Sequence, residues 1–208
     1  MKFLIDTSPA NFAAKFKGRD LVGGQLITPI TGYKNAGETF AIDNGAFSGF
    51  DATKFRRLLH REQDNRDNCL FVVCPDIVAN GRRTLELWRY RQQFINGWPV
   101  AFVAQDGCED LEMPWSEMDA LFIGGGDPWK DSRASQDLVK TAKTLQIHVH
   151  IGRVNEIRRY ERFAAIGADT CDGSGIAMYD HMLEEIERKL NKNPEPSLFD
   201  NKELRNDC

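Results

Sequence analysis

The sequence predicts an α/β chain whose eight strands close into a compact (β/α)8 TIM barrel, trimmed or irregular at this size. Three observations lead there. Eight short β-prone runs recur along 208 residues, and those in the middle are almost continuously apolar, as strands buried on both faces of a parallel sheet are. Helical patterns separate most of them, the alternation of an α/β fold. The runs also end, one after another, in polar groups or glycines, as barrel strands do where their C-terminal ends carry a site. The length stands at the lower limit for such a barrel, and an open doubly wound sheet is the alternative.

The first run, FLID (3–6), reaches Asp6 after three apolar residues, too few for a secretory signal. QLITPI (25–30) and FAIDN (40–44) follow with no helix between them, because TGYKNAGET reads as a loop. A helical pattern at 52–62 leads to LFVVCPD (70–76), and a longer one at 80–96 leads to VAFVAQD (100–106). LFIGGG (121–126) precedes a helix at 133–145, IHVHIG (147–152) one at 155–166, and ADTCDGSG (168–175) a last one at 177–191. The barrel is thus a single domain over 1–191. Residues 192–208 are polar, carry two prolines and read as a C-terminal tail with one packed turn at Ser197 to Phe199.

Composition narrows the function. A chain that is 41% hydrophobic and 28% charged can bury one sizeable core. A net charge of −4 makes its overall field mildly repulsive to nucleic acid, so any such partner needs a local basic patch. The five cysteines are odd in number and form no CxxC pair, which suggests neither a zinc ribbon nor a disulfide scaffold. No apolar run approaches the length of a membrane span, so a soluble, cytoplasmic protein is expected. No redox-cofactor or ATP motif is visible, and neither a cofactor nor a metal is expected.

The strand ends carry the chemistry. Asp6, Asp43, Asp76, Gln105, Gly124, Gly125, Gly126, Gly152, Arg153 and Asp172 all lie where a strand gives way to its loop, and a parallel barrel gathers such ends on one face. One aspartate there is an ordinary helix cap; four, with a glutamine and a triple glycine, point to a pocket. Carboxylates across a barrel mouth suit glycosyl chemistry, one as nucleophile and one moving the proton of the leaving group. Gln105 and the backbone amides of Gly124 to Gly126 suit a flat polar ligand such as a purine, against which Phe47, Phe50 or Tyr179 can stack. For Asp169, three residues before Asp172, a place outside the pocket is the simpler expectation.

These residues resemble the tRNA-guanine transglycosylase superfamily, barrel enzymes that exchange guanine for a 7-deazaguanine base. DNGAFSGF is similar to the family's DSGGFQ, and PDIVANGRRTL to its base-recognising Asp segment. VAQDG is similar to VQGG, and LFIGGGDP to IGGLAVGE. HIGRVNEIRRYERFAAIGADTCDGSG is similar to MGVG…GxDxFDC, and five motifs fall in order over about residues 40–175. The nearer likeness is to the DNA-modifying, DpdA-like branch of phages and bacterial genomic islands. The resemblance implies Asp172 as the covalent nucleophile and Asp43 as general acid/base, with Asp76, Gln105, Gly124, Gly125, Gly126 and Gly152 holding the base. It also implies a bacterial or phage-infected host cytoplasm.

The chain departs from the tRNA enzymes where they dock their substrate. Nothing after Asp172 matches their CxCxxC…H zinc site, so a barrel without the zinc-binding subdomain is expected, and Gly173 to Ile176 replace their PTR-type loop. DNA is therefore the expected partner and tRNA the lesser one, with a 7-deazaguanine such as preQ0 as the incoming base. Two arginine clusters can meet phosphates: one at 82–91 led by Arg82 and Arg83, and one at 153–162 led by Arg153 and Arg158. Reaching a base in a duplex also requires turning the nucleotide out of the stack. Other readings remain. The His148/His150 pair suits a metal-dependent amidohydrolase barrel, and GGGDP suits a phosphate cradle in a sugar-phosphate barrel. A non-catalytic nucleic-acid-binding subunit of a transglycosylase complex is the third. Oligomeric state and the need for a partner subunit stay open.

Overall fold

A computed structural model describes residues 1–36 and 38–192; apart from Lys192, the expected tail and its turn at Ser197 to Phe199 lie outside the described residues. The chain opens with β1 (Lys2–Ile5), a short α1 (Pro9–Asn11) continued by a π-helical turn at Phe12–Phe16, β2 (Val22–Ile27) and β3 (Phe40–Ile42). Then come α2 (Ala52–Glu62), β4 (Cys69–Val73), α3 (Gly81–Trp88), α4 (Gln92–Ile95) and β5 (Val100–Ala104). The second half holds β6 (Ala120–Ile123), α5 (Asp127–Lys130), α6 (Arg133–Thr144), β7 (His148–Ile151), α7 (Ile157–Ala164) and β8 (Thr170–Cys171). Two helices follow, α8 (Ser174–Met178) and α9 (Asp180–Lys192). All eight strands pair in parallel and in chain order, and β8 returns to β1 to close the barrel.

The economy that fits a barrel into this length is visible in its connections. β2 and β3 are joined without a helix, as expected, and β5 and β6 are joined by two single 3-10 turns. The expected helix at 80–96 is interrupted into α3 and α4, and the last one into α8 and α9. β2 begins three residues earlier than QLITPI suggests, since Val22 and Gly24 pair with β1 and Gly23 lies within the strand.

Side-chain alternation divides the core in two. Residues of one parity, among them Leu4, Leu26, Ala41, Phe71, Val73, Val103 and Phe122, fill the barrel interior. Their neighbours, such as Phe3, Ile5, Ile27, Ile42, Phe102, Leu121 and Ile151, pack outward beneath the helices. The same period of two, extended past the strand ends, aims Asp6, Asp43, Gln105, Gly124, Gly152 and Asp172 at the axis. Each stands two residues beyond an interior position: Leu4, Ala41, Val103, Phe122, His150 and Thr170 respectively.

Candidate active site

At the C-terminal ends of the strands the barrel opens into two adjoining lobes. The first, about 360 Å³, is lined by residues that include Leu4, Asp6, Thr28, Ile30 and Lys54. The second, about 90 Å³, is lined by residues that include Asp76, Gln105, Gly124, Gly125, Lys130 and Gly152. Asp43, Asn44, Phe47, Arg153 and Asp172 line both, so the two aspartates expected to do chemistry stand on the partition between the lobes. Among the described residues Gly126 lines neither lobe.

Asp172 is held from below by a chain of side chains running down the barrel axis. Its Oδ1 accepts from His150 Nε2 at 3.0 Å and from the Arg153 backbone N–H at 3.2 Å. His150 Nδ1 lies 2.9 Å from Thr170 Oγ1, and His148 Nε2 lies 2.8 Å from the same hydroxyl. One set of donor and acceptor roles fits all three contacts. His148 donates to Thr170, Thr170 donates to His150, and His150 donates to Asp172. Burial pushes His148 down to about 4, which keeps that ring neutral near pH 7. His150 is completely buried, stacked on Phe122 with 4.7 Å between ring centroids. Asp172 Oδ2 meets no hydrogen-bond donor among the described residues and is left for a reaction partner.

Asp43 is a different carboxyl. Burial raises it, the Gly45 N–H at 2.5 Å opposes this, and the negative charges of Asp172, Asp76 and Asp6 raise it further, to about 7. A carboxyl poised there can give and take a proton near neutrality. Asp6, on the first lobe, is also raised by burial and accepts a 2.5 Å bond from Tyr33.

The second lobe is floored by a locked polar network. Asn44 Nδ2 donates to Asp76 Oδ1 and to the Cys74 carbonyl, both at 2.6 Å. Gln105 Nε2 donates to Asp76 Oδ2 at 2.6 Å, while Gln105 Oε1 accepts from the N–H groups of Ala79 and Gly125, each at 2.8 Å. Ala79 and Arg153 both have φ of 58°, a left-handed conformation that costs energy in a residue with a side chain. Each spends its N–H on a site residue.

The triple glycine is used differently from the sequence expectation. Gly124 N–H bonds the Ala104 carbonyl at 2.9 Å, Gly125 N–H bonds Gln105, and Gly126 N–H bonds Asp106 Oδ2 at 2.7 Å. No amide of the run is left for a ligand. The strand end needs these donors to hold Gln105 and Asp106, and the glycines supply room instead. A Cβ on Gly124 would lie 2.6 Å from Gln105 Nε2, and one on Gly125 would run into the Trp129 ring. The same commitment takes the three glycine N–H groups of GGGDP away from a phosphate.

Of the arginines expected to meet phosphates, only Arg153 enters the pocket. It lies over the Phe47 ring at 4.8 Å and donates to the Gly125 carbonyl at 2.6 Å. Arg82 and Arg83 are exposed at the start of α3, where Arg83 pairs with Glu86. Arg158 lines a separate cleft with Glu156 and Glu185. Arg159 and Arg162 are bound to Asp131, and Arg91 to Glu117. Asp169 lies outside both lobes, pairing with Lys143 at 2.6 Å.

Three site residues carry no role in the sequence reading: Asn44, His150 as a partner of Asp172, and Lys130. Lys130 is fully buried, donates to the Gly152 carbonyl at 2.6 Å, and is lowered to about 8 by burial and by Arg153. The two histidines are engaged with Thr170 and Asp172, and no group of three or more His, Cys, Asp or Glu among the described residues is placed to hold a metal ion. No helix among the described residues is long and apolar enough to cross a membrane. No protein-family model matches the chain, and a search of curated proteins finds no match.

Proposed function

We propose that the chain is a base-exchange transglycosylase that removes guanine from DNA and installs a 7-deazaguanine such as preQ0, by way of a covalent Asp172 intermediate. The observation that carries this reading is the partition. Asp172, with one oxygen held and one free, and Asp43, raised to about 7, stand together between a small polar lobe and a larger open one. A nucleotide suits that division, with its base among Asp76, Gln105 and Asn44 and its sugar and phosphates in the open lobe. The glycosidic bond then crosses between the two carboxyls.

In the first half-reaction Asp172 Oδ2 attacks C1′ as the bond from C1′ to guanine N9 breaks. Asp43 gives its proton to the departing guanine, which leaves neutral, and the sugar is held as an ester of Asp172. In the second, N9 of the incoming base attacks C1′, its proton passes to the Asp43 carboxylate, and Asp172 departs as a carboxylate. Two inversions restore the starting configuration. The N–H groups of His150 and Arg153 on Oδ1 stabilise the carboxylate as it leaves.

The test is exchange of labelled guanine into duplex DNA, single-stranded DNA or bulk tRNA by the purified protein. Label entering DNA alone is the expected result. Label entering tRNA keeps the chemistry and overturns the substrate. Folded protein that labels none of them overturns the autonomous enzyme and leaves a non-catalytic subunit, or one that needs a partner chain.

A further inference from the structure

The geometry points to a phosphodiester-binding groove along α2, adjoining the open lobe, as the track of the DNA strand whose nucleotide enters the pocket. The identity of the strand rests on the base-exchange reading; the path does not. In a chain of net charge −4, α2 carries Lys54, Arg56, Arg57, His60 and Arg61 against a single acid, Glu62. That acid is fully buried and bound to Asn35 and Arg61.

Lys54, Arg57 and Arg61 recur at spacings of three and four, so they share one face of the helix. Arg56 lies on another, over the Phe94 ring. The basic face meets the turn at 28–31, where Arg61 Nη1 donates to the Thr31 carbonyl at 2.8 Å. Between them runs a groove of about 400 Å³ lined by Pro29, Ile30, Thr31, Lys54, Arg57 and Arg61. Pro29, Ile30 and Lys54 also line the open lobe, so groove and pocket are continuous.

What distinguishes this groove is uncommitted charge beside the open lobe. Arg61 is bound to Glu62, but Lys54 and Arg57 are not so held. Arg82, Arg89 and Arg158, also without an ion pair among the described residues, do not line that lobe. Arg83, Arg91, Arg159 and Arg162 are each paired with a carboxylate within 3.3 Å. Lys54 has only a 3.7 Å contact with the exposed Asp51, and Arg57 has no ion pair among the described residues. Ile30, 78% exposed where groove and lobe meet, offers an apolar edge to a sugar or base beside two cations. A strand can therefore lie along α2 and send one nucleotide across the partition.

The test measures binding of a fluorescein-labelled single-stranded DNA oligonucleotide by anisotropy across a salt titration. The unmodified protein, Lys54→Gln with Arg57→Gln, and Arg82→Gln with Arg83→Gln are compared, and circular dichroism verifies that each is folded. Both substituted pairs are exposed, so neither disturbs the core. The α2 pair should weaken binding by roughly ten-fold near 0.1 M salt and flatten the slope of log K against log salt by about 1.4, two phosphate contacts on a single strand. The Arg82/Arg83 pair should stay within about two-fold. Equal binding by the α2 pair, a larger loss in the other pair, or no DNA binding by the unmodified protein overturns the groove. Guanine exchange on the same samples separates the two ideas. Exchange with unchanged binding in the α2 pair sinks the groove alone. Groove-dependent binding without exchange by the unmodified protein sinks the base-exchange reading alone.

Discussion

The two lobes share a partition but are built on opposite plans. The small lobe is a closed network in which Asn44, Asp76 and Gln105 hold one another and take up the N–H groups of Ala79 and Gly125. Such a surface pays its ordering cost during folding and meets a ligand without rearranging. The open lobe is four times larger by volume, and Ile30 and Phe47 on its wall are 78% and 70% exposed. An exposed apolar wall tolerates many ligand shapes and selects few. In the proposed reaction the small lobe judges the base, which must be the right one, and the open lobe accepts the strand, which varies.

The sharpest way to break this picture is on the partition itself. Asp172→Asn should lower exchange by at least about 10⁴-fold and abolish the covalent DNA adduct seen on denaturing gels, because the carboxylate that forms the ester is gone. Full exchange by that variant would remove the nucleophile assignment. Asp43→Asn should slow exchange by roughly 10²–10⁴-fold. In the unmodified protein, single-turnover formation of the adduct should fall as pH rises through about 7, since guanine departs with the proton of Asp43.

Asp43 also makes a claim about stability that needs no substrate. Its folded value of about 7 exceeds the ordinary 3.8, so the folded state binds the extra proton between those limits. Stability is therefore favoured below about 4 and lost as pH rises through about 7. Asp43→Asn should raise the unfolding free energy by roughly 2–4 kcal/mol at pH 8 and by little at pH 4. Calorimetry at the two pH values decides it, and an equal effect at both would place the cause elsewhere.

How far the site was legible in the sequence depends on the range of the interaction. Strand ends are local: FAIDN, VAFVAQD and ADTCDGSG announce Asp43, Gln105 and Asp172 because a strand must stop where polar residues begin. Helix α2 is bounded by local signals too, with Asp51 capping its first turn by accepting from Thr53 and Lys54, and it spans 52–62 as expected. Where a contact joins distant segments, sequence reasoning failed. The glycine amides looked available, yet Gln105 and Asp106, twenty residues earlier, consume two of them. Gly24 hides a strand because its lack of a side chain admits the Thr39 carbonyl from the β3 side, which composition reads as a loop. Lys130, in the four-residue helix DPWK, is buried and donates to the Gly152 carbonyl 22 residues away, a contact that local sequence does not announce. The HxH pair was legible as a pair, but its connection to Asp172 needs the register of β7 against β8, which sets His150 opposite Thr170.

A middle-sized effect should separate the closed lobe from the open one. Gln105→Ala strands one Asp76 oxygen and the Gly125 N–H in a buried place and releases the N–H of the exposed Ala79. We expect a loss of about 2–4 kcal/mol in unfolding free energy and a rise of roughly ten- to a hundred-fold in KM for guanine. The KM for DNA should move much less. Equal changes in both constants would mean that the network supports the whole pocket rather than the base alone.

The smallest expected effect tests the open lobe. Phe47→Ala removes a ring that is largely in water and touches the Arg153 guanidinium, so unfolding free energy should change by no more than about 0.5 kcal/mol. Arg153 keeps its place without the ring, because its side chain is held by the Gly125 carbonyl and its N–H by Asp172. Stacking of a base or sugar on an aromatic ring contributes about 1–3 kcal/mol, and at the lower end KM for the DNA strand should rise roughly five-fold with kcat unchanged. Phe47 lines both lobes, which makes the direction of the change decisive. A rise confined to DNA assigns the ring to the strand and keeps the lobes distinct in function. A rise confined to guanine makes Phe47 a wall of the base site, and the division of labour across the partition would then have to be redrawn on the far side of that ring.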